Sequence, residues 1–327
     1  MRAPTYWRRP RPGLVARALS PIAAIYGAAT ARRMARPGFR VAAPVLCVGN
    51  FVVGGAGKTP TAIALAKLLR AAGERPAFLS RGFGGEARAE SARVSAGDHS
   101  ARRFGDEPLL LARVAPCFVG ADRVASAKLA IEDGATVLVM DDGLQNSSLE
   151  KTLALAVVDG DCPFGNGLCL PAGPLRAPVD AQLPHVDALL VIGGTAETAV
   201  RLSARAPQKP IFRARLQADA VAASQLIGRP VLAFAGIARP EKFFATLADV
   251  GAQVADTAIF PDHWRFRPRD LERLAARAER RRLTLVTTEK DQVRLPAEFA
   301  EEVRVLPVTL GFDDVAEVDA WLAALKS

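Results

Sequence analysis

A glycine-rich segment between an apolar run and a helical stretch constrains the fold of this chain most strongly. Residues 45–48 form a short apolar run typical of a buried strand, and the segment GGAGKT at residues 54–59 separates it from a helical pattern that starts at Thr61. Glycines let the backbone curl so that N–H groups point at an anion, and the helix N-terminus adds its positive dipole. This order predicts a phosphate-binding loop inside a parallel α/β sheet.

The loop also indicates which groups handle the phosphates. Lys58 is placed to reach the β- and γ-phosphates of a nucleotide, and Thr59 to offer its hydroxyl to Mg²⁺. The segment is closer to GGxGK[ST] than to GxxxxGK[ST], because Val52 holds the place of the first glycine and Val53 that of a frequent second lysine. The predicted nucleotide-binding residues are Val52, Val53, Gly54, Gly55, Ala56, Gly57, Lys58 and Thr59.

The choice between ATP and GTP depends on a weaker pattern. Thr288-Glu289-Lys290-Asp291 superficially resembles the [NT]KxD guanine motif, but its lysine comes one place too late. With no other guanine motif in the chain, the sequence favours ATP, together with Mg²⁺, over GTP.

Apolar runs and helical stretches alternate along the rest of the chain, as in βαβ units. The predicted strands of the first part are residues 45–48, 77–80, 136–140, 154–158 and 188–192, with a helix at 61–72 and an irregular, polar stretch at 193–210. The second part is predicted to contain strands at 231–235, 283–288 and 303–310 and helices at 241–250, 269–282 and 314–325. We expect a basic N-terminal segment (1–40), a P-loop kinase domain (41–208) and a smaller α/β domain (209–327).

Charge is concentrated at the N-terminus. Residues 1–40 contain nine arginines, the first acidic residue is Glu74, and the net charge of the whole chain is +9. Such a segment suits an anionic membrane surface or a nucleic acid, but the rest of the chain is nearly balanced, so we expect no nucleic-acid partner. The uncharged stretch 18–31 is shorter than the roughly 20 residues that span a bilayer.

We therefore interpret the N-terminal segment as an amphipathic helix at the membrane interface. A helix that simply packs on the domain is the alternative. The residues expected to enter the interface are Trp7, Leu14, Leu19, Ile22, Ile25 and Tyr26.

The four cysteines show no CxxC spacing, and the three histidines could supply few metal sites. Cys47 and Cys117 lie in apolar runs, where a reduced cysteine is usually a small core residue. The sequence thus predicts neither a zinc site nor a disulfide framework, and it suits a reducing compartment.

Acidic residues at predicted strand and helix ends are the candidates for metal binding and catalysis. Asp141 and Asp142 follow a predicted strand, where a P-loop fold needs a carboxylate for its metal, and the pattern leaves open which of them faces it. Asp106 and Glu107 precede Pro108, and either a catalytic base or a helix cap fits that pattern. His263 lies in a predicted turn, where either an acid–base partner or an ordinary surface histidine is possible.

Three arginines and one long loop complete the candidates. Arg81 follows a predicted strand in a glycine-rich loop, and Arg123 and Arg176 are further candidates for binding phosphate. Residues 164–176 are too rich in glycine and proline for a helix or a central strand, and too apolar for disorder, so an ordered functional loop is expected.

Taken in order, these motifs closely resemble the tetraacyldisaccharide 4'-kinase family, the lipid A 4'-kinases, over roughly residues 15–310. The motifs that carry the resemblance are VGN at 48–50, GGAGKTP at 54–60, SRGFGG at 80–85, GDEP at 105–108, DDGLQ at 141–145, FGNG at 164–167, LPAGPLR at 170–176, AGI at 235–237, DH at 262–263 and TEKD at 288–291.

The resemblance implies a specific reaction and place. It implies transfer of the γ-phosphate of ATP to the 4'-hydroxyl of a tetraacylated glucosamine disaccharide 1-phosphate, which forms lipid IVA in lipid A biosynthesis. The protein would be peripheral, at the cytoplasmic face of the bacterial inner membrane. The implied fold is a P-loop NTPase-like α/β/α sandwich with a second, smaller α/β domain, joined by a two-stranded linker for which residues 210–216 and 305–310 are suited.

The resemblance also implies roles for individual residues. Asp106 becomes the catalytic base with His263 as its assistant, and Lys58 and Thr59 keep their roles at the phosphates and the metal. Asp141, Asp142 and Glu107 fall on the magnesium side.

The chain departs from many relatives at Asn146, where they carry histidine, and at Lys151-Thr152, where an Arg-Asp pair is frequent. Neither place is assigned to chemistry. Two other readings remain at this point: a GGxGK[ST] GTPase of metal-cofactor assembly, for which metal-handling residues are missing, and a membrane-associated nucleotide switch.

Overall fold

The computed structural model describes residues 4–9, 11–55, 57–86, 90–94 and 101–326. Ala56, one of the predicted nucleotide-binding residues, lies outside these ranges. The described residues form two sheets, each with helices on both faces, which confirms the predicted α/β/α sandwich with a second, smaller α/β domain.

The larger sheet has nine described strands. They are β1 (Val45–Gly49), β2 (Pro76–Ser80), β3 (Ala92–Val94), β4 (Cys117–Val119), β5 (Val137–Asp141), β6 (Leu153–Asp159), β7 (Ala188–Ile192), β8 (Ile211–Ala218) and β13 (Val308–Phe312). Their order is β13-β8-β7-β6-β1-β5-β2-β4-β3. The edge strands β3 and β13 run antiparallel to their neighbours and the other pairs are parallel. Strand β1, which leads into the phosphate loop, is therefore central.

Helices cover both faces of this sheet because its central strands are apolar on both sides. One face is covered by α2 (Lys58–Ala71), α4 (Asp106–Ala112) and α13 (Val315–Leu322), and the short α3 (Ala101–Phe104) adds Phe104 to that core. The other face is covered by α1 (Leu14–Met34), α5 (Arg123–Glu132), α6 (Val179–Gln182) and α7 (Ala196–Arg205). Helix α7 corrects the prediction that residues 193–210 are irregular. Its polar outer face hid the periodicity, and Leu202 anchors it to the core.

The smaller sheet has four described strands, all parallel, in the order β10-β9-β11-β12. The strands are β9 (Pro230–Ala235), β10 (Gln253–Ile259), β11 (Thr284–Thr287) and β12 (Arg304–Val305), and the helices around them are α8 (Ala220–Ser224), α9 (Pro240–Asp249), α10 (Pro268–Arg281), α11 (Glu289–Gln292) and α12 (Ala297–Glu302). Strand β10 was not predicted, since it is an edge strand in which half-buried and exposed residues alternate.

The division between the two domains differs from the predicted one. The stretch predicted as one strand at 303–310 is two strands, β12 in the smaller sheet and β13 in the larger, and Pro307 lies between them, where it cannot donate to a ladder. Strands β8 and β13 form the antiparallel pair expected of a linker, yet β8 also pairs with β7 and extends the larger sheet. Helix α13 packs on the same sheet through Val318 and Leu322. Residues 220–306 thus form the smaller domain.

Helix α1 is longer than the uncharged stretch 18–31. Among the described residues it is the one helix long and apolar enough to cross a membrane, judged by length and composition alone. One stripe of it packs on the large domain, where Gly27 lies against Cys169 and Pro178. Leu19 also packs on the domain, in contrast to its predicted place in the interface.

The N-terminal residues before this helix contact the loop at 164–176. The Trp7 indole N–H donates to the Pro171 carbonyl at 3.1 Å, and the Asn166 backbone N–H donates to the Trp7 carbonyl at 2.7 Å. Trp7 is therefore held by the protein through its indole N–H and its carbonyl. The loop itself is ordered by such contacts, as predicted.

Cys47 and Cys117 are free and fully buried in the core of the large domain, in agreement with their predicted packing role. Burial is the main cause that raises the pKa of the Cys47 thiol to about 12. A thiol of this kind is chemically inert.

Candidate active site

The candidate site lies where the carboxyl edges of the two sheets meet. Strands β1, β5 and β2 lie side by side in the large sheet. The loops after them carry the GGAGKT segment, Asp142 and Arg81, respectively. From the smaller sheet, the segments after β10 and β11 contact this edge through His263, Lys290 and Arg294. Ligands of open parallel sheets bind at this edge.

Glycine is required within the phosphate loop. Gly57 caps helix α2 with a left-handed φ of 86°, and a Cβ at this position would lie 2.5 Å from Ile192 Cδ1. The Lys58 ammonium donates to the Gly54 carbonyl at 3.1 Å and lies 3.7 Å from Asp142 Oδ1. The loop thus holds its lysine folded over the turn where phosphates would bind.

Val52 and Val53 link the phosphate loop to the loop at 164–176. The Val53 N–H donates to the Pro174 carbonyl at 2.8 Å, and the Val52 carbonyl accepts from Arg176 Nε at 3.2 Å. The Val53 amide is thus occupied by protein. Among the predicted nucleotide-binding residues, Val52 and Val53 therefore fix the conformation of the loop. The backbone N–H groups of the described residues after Val53 remain available to bind phosphate.

The two adjacent aspartates point to different partners. The Thr59 hydroxyl donates to Asp141 Oδ2 at 3.0 Å, and Asp141 Oδ1 is buried without a hydrogen-bond partner among the described residues. Asp142, in a left-handed conformation (φ 57°), accepts from Arg176 Nη2 at 2.8 Å. The structure therefore places Asp141 on the side of Thr59, and Asp142 on the side of Lys58 and Arg176.

The pKa values of the two carboxyls move in opposite directions. Burial, followed by the charges of Glu107 and Asp142, raises the pKa of Asp141 to about 7. For Asp142 burial also acts upward, but the nearby cations Lys58 and Arg176 outweigh it and lower the pKa to about 2. The charge of Lys58 and the hydrogen bond from Thr59 lower the pKa of Asp141, but burial and the two neighbouring carboxylates outweigh them.

These residues fit a magnesium ion. Mg²⁺ is usually bound through one or two carboxylates, waters and substrate phosphates rather than by an all-protein cage. Accordingly, no group of three or more His, Cys, Asp or Glu residues with metal-site geometry occurs among the residues that the structure describes. The orphaned Asp141 oxygen beside the Thr59 hydroxyl supplies the one or two ligands that such a site needs.

Asp106 lies at the contact between the two domains. His263 Nδ1 is 3.2 Å and 3.1 Å from its two carboxylate oxygens, and Arg294 Nε donates to Oδ2 at 3.0 Å. Asp106 is the first residue of α4, its side chain makes no capping bond, and Gly105 is the N-cap. The helix-cap reading of Asp106 is therefore wrong, as is the reading of His263 as an ordinary surface residue.

These contacts determine the protonation of Asp106 and His263. Burial acts to raise the pKa of Asp106, but the hydrogen bond from His263 and the charges of Lys290 and Arg294 outweigh it and lower the pKa below its usual value. The same hydrogen bond is the largest cause that raises the pKa of His263. Asp106 is therefore ionised at neutral pH and can accept a proton or a hydrogen bond.

Glu107 faces a cation of the other domain. Lys290 Nζ donates to Glu107 Oε1 at 2.7 Å. Glu107 also lies close enough to Asp141 for its charge to raise the pKa of that carboxyl. Glu107 thus lies between Asp141 and the pair of Asp106 and His263.

The three candidate arginines have different surroundings. Arg123 is buried and donates to the Ser80 carbonyl at 2.8 Å and to the Gly120 carbonyl, so it holds the ends of β2 and β4 together. Burial, and then the like charge of Arg81, lower the pKa of Arg123 to about 10. Arg81 is exposed, and within the described ranges no residue bonds to it.

Arg176 belongs to a buried network that sequence reasoning did not foresee. Its Nη1 donates to Gln145 Oε1 at 3.0 Å, and Gln145 donates to Gln182 Oε1 at 2.8 Å. Gln145 stands in the DDGLQ motif, but Gln182 and Arg294 lie in no quoted motif, and Lys290 was noted only as part of a sequence pattern. Their roles follow from contacts between distant segments, for which a single sequence offers no signal.

Two further features lie near the site. Arg239 and Lys242 of the smaller domain pair with Asp159 after β6, and Lys242 Nζ lies 2.7 Å from Asp161 Oδ2.

A cavity of about 350 Å³ opens beside Asp106 and His263, with Phe83, Arg265 and Arg294 in its wall.

The chain is similar to known proteins over nearly its whole length. The profile of the family described as tetraacyldisaccharide-1-P 4'-kinase matches residues 15–326. The sequence is 57% identical to the tetraacyldisaccharide 4'-kinase of Methylobacterium sp. (strain 4-46), over 99% of this chain and 98% of that protein. It is 50% identical to the protein of the same name from Bradyrhizobium diazoefficiens, over 97% of this chain and 94% of that one.

The fold is similar to that of a solved structure. The crystal structure of the "apo" form of LpxK from Aquifex aeolicus in complex with ATP superposes with a TM-score of 0.74, over 95% of this chain and 99% of that one. The two sequences are 24% identical, so this likeness speaks for the fold alone.

Proposed function

Since this chain belongs to the tetraacyldisaccharide 4'-kinase family, we propose how its residues carry out the family reaction. The chain is a kinase that transfers the γ-phosphate of ATP to the 4'-hydroxyl of a tetraacyldisaccharide 1-phosphate in lipid A biosynthesis. The proposal assigns Asp106 as the general base, with His263 as its partner and Lys58 and Thr59 at the phosphates. The observation that carries it is the contact of Asp106 with His263 at the domain junction.

The transfer needs a group that accepts the proton of the acceptor. As the 4'-oxygen attacks the γ-phosphorus, its O–H bond breaks and the proton passes to Asp106, while the bond from phosphorus to the β-phosphate oxygen breaks and ADP leaves. Asp106 is ionised, and His263 Nδ1 holds its oxygens at 3.1 and 3.2 Å. Phosphoryl transfer depends mainly on position and charge, so a fixed carboxylate suffices.

The cations near the phosphate loop are proposed to bind the transferred group. Lys58 would contact the β- and γ-phosphates, and Arg81, the exposed arginine, would turn toward the phosphates once ATP is bound. Arg123 and Arg176 act on the phosphate site through the backbone ends and the Asp142 carboxylate that they hold.

We propose Mg²⁺ as the metal, with Thr59 and Asp141 as its protein ligands and Asp142 and Glu107 nearby. The support is the buried, unpartnered Asp141 oxygen beside the Thr59 hydroxyl. Bound there, Mg²⁺ would neutralise charge on the phosphates.

The acceptor carries acyl chains, and helix α1 offers an apolar face for them. Ile22 and Ile25 of this helix are 57% and 73% exposed, and Arg17, Arg32 and Arg33 flank them. An exposed apolar face with flanking arginines is typical of a helix at an anionic membrane surface. We propose that the protein is peripheral on the cytoplasmic face of the inner membrane, and that this face meets the bilayer.

The role of Asp106 is tested with Asp106→Asn, which keeps the shape and removes the charge. Transfer of labelled γ-phosphate to tetraacyldisaccharide 1-phosphate in detergent micelles should slow by roughly 10²- to 10⁴-fold, the usual contribution of a general base. The affinity for ATP, measured by calorimetry, should stay unchanged. Asp249→Asn, at an exposed site on α9, is the matched control. Turnover near that of the wild type would remove Asp106 as the base.

The membrane role of α1 is tested with the double variant Ile22→Asn/Ile25→Asn. Burial of one large apolar side chain contributes roughly 1.5–3 kcal/mol, so partitioning onto anionic vesicles should fall by about tenfold or more. The KM for the lipid should rise while the KM for ATP does not change. The control is Val200→Asn/Val221→Asn, two equally exposed valines on other helices. Unchanged partitioning would return α1 to a packing role.

A further inference from the structure

We infer that Arg294 is a positioning residue for the catalytic base, so that the smaller domain completes the acceptor side of the site by holding the Asp106 carboxylate. This inference rests on the proposed role of Asp106. The inference also assigns a role to residues 288–291, which resemble the guanine motif but have no part in nucleotide binding here: they hold Arg294.

Arg294 binds Asp106 across the domain junction with a fixed geometry. Its Nε donates to Asp106 Oδ2 at 3.0 Å, and its Nη2 lies 2.9 Å from the same oxygen. Its Nη1 donates to the Gly236 carbonyl at 2.9 Å and to Asp291 Oδ1 at 3.2 Å. A guanidinium is a planar fork of donors, so contacts on both sides fix its orientation.

The partners of Arg294 within its own domain are themselves rigid. Asp291 is fully buried, and its carboxylate accepts from the Gly236 N–H at 3.0 Å and from the Thr288 hydroxyl at 2.7 Å. Thr288 also caps α11, since its hydroxyl accepts from the Asp291 N–H. The ends of β9 and β11 are thereby joined around the guanidinium, and the anchor of Arg294 does not depend on flexible side chains.

The contact with Arg294 makes the two carboxylate oxygens of Asp106 inequivalent. Arg294 contacts Oδ2, whereas His263 Nδ1 lies at similar distances from both oxygens. Oδ1 is thus the oxygen left to meet the acceptor hydroxyl. The side chains of Asp106 and Arg294 are each only 5% exposed, so removal of either leaves the other charge buried without this partner.

The contacts also argue that Arg294 does not itself bind the substrate. Its Nε and Nη1 donors are used by Asp106, Gly236 and Asp291, and Nη2 is buried 2.9 Å from Asp106 Oδ2 without a hydrogen bond to any described residue. Loss of Arg294 should therefore reduce kcat through the position of Asp106 and leave ATP binding intact. Lys290, which ties the adjacent Glu107 to the same segment, limits how far the domains separate in the variant.

The test uses Arg294→Ala and Arg294→Lys in the full-length enzyme with the labelled-lipid assay. A misplaced catalytic group can lower the rate by roughly 10²-fold, and we expect a fall in kcat of that size for Arg294→Ala with an unchanged KM for ATP. Arg294→Lys should recover part of kcat. Because Arg294 lines the 350 Å³ cavity, added guanidinium can enter the vacated space and should restore kcat in Arg294→Ala.

Two controls distinguish an effect on the position of Asp106 from a loss of folding. Arg277→Ala removes another arginine–aspartate pair of the same domain, with Asp256, and should change kcat little and respond to no guanidinium. Urea and sodium chloride at the same concentrations account for denaturation and ionic strength. A wild-type kcat in Arg294→Ala, or a loss that neither guanidinium nor Arg294→Lys reverses, would overturn the inference.

A double variant distinguishes this inference from the proposed function. In the Asp106→Asn background, Arg294→Ala should lower kcat by no more than about twofold, because coupled residues are not additive. A full additional loss there would overturn the positioning role while Asp106 remained the base. Normal turnover in Asp106→Asn alone would instead reject the base itself.

Discussion

The proposed nucleotide side and the proposed acceptor side of this site are built in different ways. Lys58 and Thr59 begin helix α2 and Asp141 ends strand β5, all within the large domain, and the bond from Thr59 to Asp141 joins the helix after β1 to the neighbouring strand β5. Asp106, in contrast, has its partners His263 and Arg294 in the other domain. The nucleotide side is therefore complete once the large sheet folds, whereas the acceptor side exists only when the two domains touch.

This difference assigns separate tasks to the two domains. A site that grips ATP within one domain can bind it before the second domain is in place. A base that is oriented by the second domain becomes effective only in the joined state. The arrangement links the chemical step to the domain contact, and variants on the two sides should separate binding of ATP from turnover.

Of the changes considered next, the largest effect is expected on the nucleotide side. Lys58→Met removes a cation aimed at the phosphates, and loss of one such group lowers catalysis by roughly 10²- to 10³-fold. We expect kcat/KM for ATP to fall by this factor with both kcat and KM affected, unlike Arg294→Ala. Lys67→Met, at an exposed site on the same helix, is the control. A fall in kcat with an unchanged ATP affinity would remove the distinction between the two sides.

A smaller effect is expected where the domains meet away from Asp106. Arg239→Gln/Lys242→Gln breaks the pairs with Asp159 and Asp161, which are partly exposed. Such pairs contribute at most about 1 kcal/mol each, so kcat/KM should fall by about fivefold. Arg201→Gln, which breaks an exposed pair with Glu197 inside the large domain, should have no effect. A hundredfold loss would show that this second contact matters as much as the one at Asp106.

The last expected effect is on stability rather than on rate, and it concerns the pH dependence of stability without nucleotide. The pKa of Asp141 is raised from 3.8 to about 7, so the folded protein binds a proton that the unfolded chain releases near pH 4. Stability from this group is full below pH 4 and is lost as the pH rises through 7. Tm, measured by calorimetry, should therefore fall more steeply between pH 5 and 8 in the wild type than in Asp141→Asn. Parallel curves would contradict the raised pKa of this carboxyl.

Much of the fold was readable because the central strands are short apolar runs. Residues 188–192 were predicted with the same bounds that the structure shows, and the strands β1, which leads to the phosphate loop, and β5, which ends at Asp141, were predicted to within one residue at each end. The errors fall where the sequence pattern is short or weak: β4 has only three residues, β10 alternates weakly, and α7 is polar on its outer face. Strand β13 was merged with β12, because a sequence pattern does not tell which sheet a strand joins.

The sequence alone determined the phosphate loop and the family to which the chain belongs. Local spacing is enough for these: a strand, glycines that permit positive φ, a lysine, a threonine and a helix lie in one short segment, and Gly57 has a φ of 86° that favours glycine. The tertiary structure alone decided what Asp106 meets. Its contact with Arg294 joins residues 188 positions apart, and such a contact arises only when two separately packed sheets bring their carboxyl edges together.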